Sequence, residues 1–192
     1  MRPQLLLPLT ILLICCHHPD AALIKEIDQL STLAAREAFL TKIFDDDQSV
    51  RSGNAELLKL NHGADSPEYK SYLQTQWDMD ALNLKKVQQY LEKNGHPSSA
   101  DSMNYKAMTA VWAVVHHSQT VKDRESVFEH LYAAYLKGDV KLDWLLKRMY
   151  HQKFRKKYEN SEDNKYDSAI DQMIFELGLE EKAMRVKQEL DL

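Results

Sequence analysis

The chain has 192 residues, 44% of them apolar and 28% charged, which is enough for one globular domain with a sizeable core. Its formal net charge of −4 is small and mixed in sign, which argues against nucleic-acid binding, because phosphate recognition normally brings a basic excess. Five glycines and five prolines are few turn-formers for this length, and they favour helices over sheets.

Taken in chain order, the first element is a leader. Residues 1–16 read MRPQLLLPLTILLICC: a weak positive start at Arg2, then an apolar run from Leu5 to Cys16. The run is shorter than the about 20 apolar residues that span a bilayer, and it fits a secretory signal peptide. Cleavage near Ala21 or Ala22 would place Pro19 or Asp20 where a small residue is wanted. The apolar run stops instead at Cys15-Cys16, and there the leader resembles a bacterial lipoprotein signal. That resemblance implies lipidation at Cys16, or at Cys15, and an exported periplasmic or outer-membrane lipoprotein. Release as a free secreted protein is the alternative. No further cysteine exists, so the mature domain has neither a disulfide framework nor a thiolate metal site.

After a short tether (17–21), the periodicity predicts one all-α domain over 22–192, a bundle of about six to seven helices. The first is expected from about Ala22 to about Arg51, ended by Ser52-Gly53-Asn54. Residues Asn54–Asp65 read as irregular, with a short helical turn available to Ala55–Leu60. Ser66-Pro67-Glu68 is a cap, an N1 proline and an early acid, so a second helix runs from there to about Asn94 and stops at Gly95-His96-Pro97. The third, roughly Ser102–Ser118, contains AMTAVWAVV and is apolar nearly all round, the mark of a buried central helix. Further helices are expected over about Lys122–Lys137, Leu142–Tyr158, Asp167–Leu177 and Glu180–Leu190. No segment shows strand alternation. The basic cluster Lys153–Tyr158 (KFRKKY) reads as a solvated helix face.

Several charges interrupt the apolar faces. At about 100° per residue, Leu33, Phe39, Leu40, Ile43, Phe44 and Val50 share one arc of the first helix. Asp45 and Asp46 fall outside that arc, Asp47 falls near its middle, and Arg51 lies one turn on, within reach of Asp47. In the second helix Met79, Leu82, Leu84, Val87, Tyr90 and Leu91 form the arc, and Asp80 and Asn83 lie within it. In the third, His117 extends the line of Ala110 and Ala113. An unpaired buried charge costs several kcal/mol, about enough to force such groups to find partners. We therefore expect one internal cluster of Asp47, Arg51, Asp80, Asn83 and His117, with Gln48 at its edge. Each residue alone also fits a plain structural role: an ion pair, a helix-bridging amide, a satisfied core histidine.

As chemistry, Asp47, Asp80 and His117 are the candidate acid–base groups, and Arg51 is suited to hold an anion. One histidine with two aspartates lacks His-x-x-x-His or Glu-x-x-His spacing, so no metal and no other cofactor is assigned. His62, His96, His130 and His151 are scattered, and Trp77, Trp112 and Trp144 read as core. There is no Gly-rich phosphate loop and no Gly-x-Ser-x-Gly elbow.

The order Asp47-Gln48-x-x-Arg51, Asp80-x-x-Asn83, Gly95-x-Pro97 and an apolar helix ending in His117 resembles the bacterial domain of unknown function 6624 family, over about Phe44 to Tyr158. That family continues with Asp-Arg and Gln-x-Tyr-Gly. Here Arg148 and Tyr158 match, whereas Lys147 and Glu159 depart, so the resemblance adds Arg148 to Gln48, Arg51 and Asn83 as candidate ligand-binding residues. It implies a helical fold and carries no activity. The reading left by the sequence is a cell-envelope module that binds a small molecule or protein. A small hydrolase-like enzyme is the second reading and a structural envelope protein the third.

Overall fold

A computed structural model of the chain describes residues 19–53, 55–159 and 166–192. The leader, Cys15 and Cys16 lie outside the described residues. Those residues form ten α-helices and no strand, so the fold is all-α. The helices are α1 (Pro19–Asp28), α2 (Leu33–Ser49), α3 (Ala55–His62), α4 (Pro67–Asn94), α5 (Tyr105–His117), α6 (Val121–Glu125), α7 (Phe128–Leu136), α8 (Asp143–Phe154), α9 (Tyr166–Leu177) and α10 (Glu180–Glu189).

Three elements beyond the expected six or seven arise from local side-chain chemistry. The helix expected over Ala22–Arg51 is two helices, because Thr32 acts as an N-cap. Its backbone is extended (φ −112°, ψ 155°) and its hydroxyl accepts from the Ala35 N–H at 3.1 Å, starting α2 afresh. The expected Lys122–Lys137 helix is also two. Thr120 and Asp123 form a capping box that opens α6, and the Ser126 hydroxyl donates back to the Asp123 carbonyl where α6 gives way to α7. Ala55–His62 is a full helix, α3, with no buried residue. α8 stops four residues before Tyr158, at Phe154, with Arg155 in the left-handed region (φ 58°). α4 begins as expected: Ser66 accepts from the Tyr69 N–H at 3.1 Å, Pro67 follows, and Gly95 ends the helix at φ +72°.

The core is organised around α5, whose Ala107, Ala110, Val111, Ala113, Val114 and Val115 are buried. α2 packs along it most extensively through Phe39, Leu40 and Ile43, and α4 crosses both. α8 pairs with α9, and α10 closes against α7. The buried stripe of α4 is Asp80, Asn83, Leu84, Val87, Tyr90 and Leu91. Leu82, expected in that stripe, is exposed, because two positions before Leu84 is about 200° around the helix. Trp77 and Trp112, also expected in the core, are exposed too. This arrangement delivers the C-terminal ends of α2 and α5 and the middle of α4 to one place.

Thr32→Ala removes the cap that separates α1 from α2, and we expect it to cost about 1 kcal/mol of stability in urea denaturation, with Thr32→Ser restoring most of it.

Candidate functional site

Asp47 sits one turn beyond Ile43 on the buried stripe of α2, and its side chain is 0% exposed. Three neighbours compensate its charge. His117 Nδ1, at the end of α5, lies 3.0 and 3.1 Å from the two carboxylate oxygens. Arg51 Nη1 lies 3.1 Å from Oδ1 and donates to the Asp47 carbonyl at 2.7 Å. The Gln48 amide donates to Oδ2 at 2.7 Å. The other guanidinium nitrogen of Arg51 pairs with Asp80 Oδ1. Asp80 Oδ2 accepts from the Gln119 amide at 3.0 Å, and the same amide donates to the His117 carbonyl at 2.9 Å. Asp47, Gln48, Arg51, Asp80 and His117 are thus one connected network drawn from three helices.

Asn83 does not join it. Its side chain is fully buried, but neither amide atom has a hydrogen-bond partner among the described residues. Asp45 and Asp46 behave as surface acids: Asp46 pairs with Lys42 at 2.8 Å and Lys86 at 3.2 Å, and Asp45 with Lys106 at 2.8 Å.

The network is not sealed. Arg51 and His117 keep 21% and 25% of their side-chain surface exposed, and both line a cleft of about 210 Å³. Arg148 and Gln152 of α8, His116, and Trp77 of α4 complete much of its wall. Arg148, the residue added by the resemblance, makes no ion pair among the described residues. Tyr158 lies elsewhere, 5.2 Å edge-on to Tyr150, in a separate hollow that holds no candidate acid–base residue, and Glu159 lines the same hollow. Lys147 turns to Asp143 at 2.9 Å.

Because a carboxylate only accepts, Asp47 places the proton of a neutral His117 ring on Nδ1 and leaves Nε2 as the basic nitrogen. Nε2 has no hydrogen-bond partner among the described residues. The dyad can therefore orient an imidazole to take a proton from a bound group, or to donate one when charged. Arg51 is held rigid by two acids, whereas Arg148 is free to meet an anion bidentately.

Beneath the cleft lies Arg124, fully buried. It donates to the carbonyls of His116 (2.9 Å), Ser118 and Thr120 (3.2 Å), and to the Gln152 side chain at 2.7 Å. The last carbonyls of a helix lack partners within it, and Arg124 supplies donors at that end of α5. Burial, and then Arg148, push its guanidinium down to about 10, which still leaves it cationic at neutral pH. His116 stacks on Trp112 at 4.9 Å. Burial lowers its pKa below the ordinary 6.5, and the charges of His117, Arg148, Arg124 and Arg51 act in the same direction.

Sequence periodicity missed Trp77, Gln119, Arg124 and Gln152. Gln119 carried a usable signal, since it stands in the turn directly after His117; so did Gln152, four residues after Arg148 on one helix, and Trp77, three before Asp80, whereas Arg124 carried none. Among the described residues, no group of three or more His, Cys, Asp or Glu side chains is disposed to hold a metal ion. No family model, no curated protein and no solved structure matches the chain.

Two expectations follow from this geometry. Asp47→Ala strands a buried imidazole contact and half of the Arg51 pairing, so it should cost about 3 kcal/mol, the low end for a broken buried pair because Arg51 keeps Asp80. Asp46→Ala should cost less than about 1 kcal/mol, as surface pairs do, and thermal melts of the two variants side by side decide the matter. For His116 the depressed folded pKa means that the unfolded chain takes up its proton first. Stability is full above pH 6.5 and declines as the pH falls from there through the lower folded value. Urea midpoints measured across this range should show a shallower decline in His116→Gln than in the native chain.

Proposed function

We propose that this chain is an exported, lipid-anchored domain of the cell envelope that binds a small anionic ligand in the cleft beside Asp47, Arg51, Asp80 and His117. The observation that carries the reading is the opening of a paired Asp–Arg–His network onto a cleft in which Arg148 and the Nε2 of His117 are unpartnered among the described residues. A network that served only to hold helices in register would satisfy its polar groups internally and need no such opening. Arg51 and Arg148 outnumber Asp80 in the lining of the cleft, and Arg148 has no acid partner among the described residues, so the local field favours an anion. The resemblance to the domain of unknown function 6624 family supports the same place, since Asp47, Gln48, Arg51, Asp80, His117 and Arg148 all stand in or beside it. Export and anchoring rest on the leader, whose apolar run ends at Cys15-Cys16.

A small hydrolase is the second reading, and one observation favours it: the carboxylate on His117 Nδ1 is the arrangement that prepares an imidazole for general-base catalysis. It stands second because no serine, threonine or cysteine among the described residues bonds to Nε2, so water would have to be the nucleophile.

The test is a thermal-shift titration with inorganic phosphate and acetate at constant ionic strength. Ligand at about 100-fold its Kd should stabilise the native chain by about 2.7 kcal/mol. Arg148→Ala should abolish the shift, and a native chain that no anion stabilises would overturn the reading. Acyl-label incorporation that survives Cys16→Ala and Cys15→Ala together would overturn the anchor.

A further inference from the structure

Trp77 is an aromatic residue that the core does not explain. Its side chain is 46% exposed, and it has neither a ring partner nor a hydrogen bond among the described residues. Trp112 is comparably exposed, yet its ring is occupied, stacked on His116 and 6.3 Å edge-on to Trp144. Trp77 stands where the cleft of about 210 Å³ meets a second hollow of about 250 Å³. Both spaces are lined by Trp77, Asp80, Ser118 and Gln119, and the Gln119 side chain donates to Asp80 where they adjoin.

The two ends differ in chemistry. The first carries Arg148, His116 and His117. The second offers the apolar surface of Ala81 and Leu84, edged by the polar and charged side chains of Asp80, Lys85, Gln88 and Asp123. An exposed indole face above small apolar groups accepts a ring that presents C–H bonds. Carboxamides and a carboxylate at the margins accept and donate in the plane of hydroxyl groups, and each Asp80 oxygen retains a lone pair beyond the bond it already makes. A fatty chain would leave those polar edges unpaired, and a bare anion would leave Trp77 uncovered.

We propose that the cleft and the adjoining hollow form one bipartite site for a monosaccharide bearing an acidic group, with the acid held at Arg148 and His117 and the sugar ring laid on Trp77. This rests on the reading of the cleft as an anion site and adds the chemical class of what the anion is attached to. Gln119 is the positioning residue at the join. Its side chain lies between acid and ring, and its backbone carbonyl accepts from the Gln152 amide at 3.0 Å, which ties it to the α8 wall.

Isothermal calorimetry on the full chain tests it, with glucuronic acid and glucose 6-phosphate compared with glucose, acetate and inorganic phosphate. The sugar acids should bind about tenfold tighter than the corresponding simple anions, the equivalent of about 1.4 kcal/mol. Trp77→Ala should erase that advantage, so that the variant binds each sugar acid no tighter than it binds the corresponding simple anion; Trp77→Phe should keep most of it, and Trp112→Ala should not affect it. Simple anions that bind through Arg148 with no gain from the sugar would overturn the bipartite site and leave the anion cleft standing. An advantage that survives Trp77→Ala would overturn it as well. No binding by any of the five compounds would overturn both this inference and the reading beneath it.

Discussion

The carboxylate of Asp47 is buried without direct contact with solvent, and the surrounding structure answers that constraint. A lone charge there would be costly, so the chain brings a guanidinium from the turn that follows its own helix and an imidazole from the end of another. Arg51 in turn requires Asp80, and Asp80 takes Gln119, so one buried acid on α2 sets the relative placement of α2, α4 and the turn after α5. This is a polar counterpart to the apolar packing of Ile43 and Leu40 on the same stripe.

The apolar packing decides where that network opens. α5 carries small and β-branched residues, Ala107, Ala110, Val111, Ala113, Val114 and Val115, which let neighbouring helices approach closely along its length. Its C-terminal end then reaches the edge of the core, and the backbone carbonyls released there are met by Arg124 from α6. A buried arginine serving carbonyls is expensive to desolvate, and its lowered pKa reflects that burial. It holds the His116–Gln119 turn at a fixed height, so that His117 faces Asp47 on one side and the cleft on the other. Gln152 joins the same turn to α8, which brings Arg148 to the opposite wall.

Much of this was legible in the chain because helices have a fixed period. Asp47 and Asp80 interrupt apolar stripes whose spacing is plain, and an i,i+4 arginine is a local relation that needs no tertiary knowledge. Leu82 and Asn83 show the limit. An arc drawn too wide admits Leu82, and a polar residue inside an arc is not thereby joined to its polar neighbours: Asn83 is buried and apart. Trp77 shows the converse, since it lies three residues before Asp80 on the same side of α4, and its exposure depends on where that helix runs past the edge of the core. Capping residues break helices that the hydrophobic period alone would continue. Thr32 and the Thr120–Asp123 box restart helices inside stretches whose hydrophobic period is continuous, because a side chain that binds backbone N–H groups outcompetes propagation there.

By itself the sequence determined the helical class, the sides of the helices that turn inward and the charged residues that would need partners, since these follow from period, propensity and the cost of burying charge. It determined equally the boundaries of α4, where serine, proline and glycine act through bonds of a few residues' span. Only the tertiary structure decided which inward charges meet and that Arg148 and Gln152, remote in sequence, wall the space beside His117. The join of that space to a second hollow at Trp77 was settled at the same level. Those relations depend on crossing angles and helix ends, to which a one-dimensional period is blind: it records the direction a residue faces around its own axis, and nothing of what stands opposite.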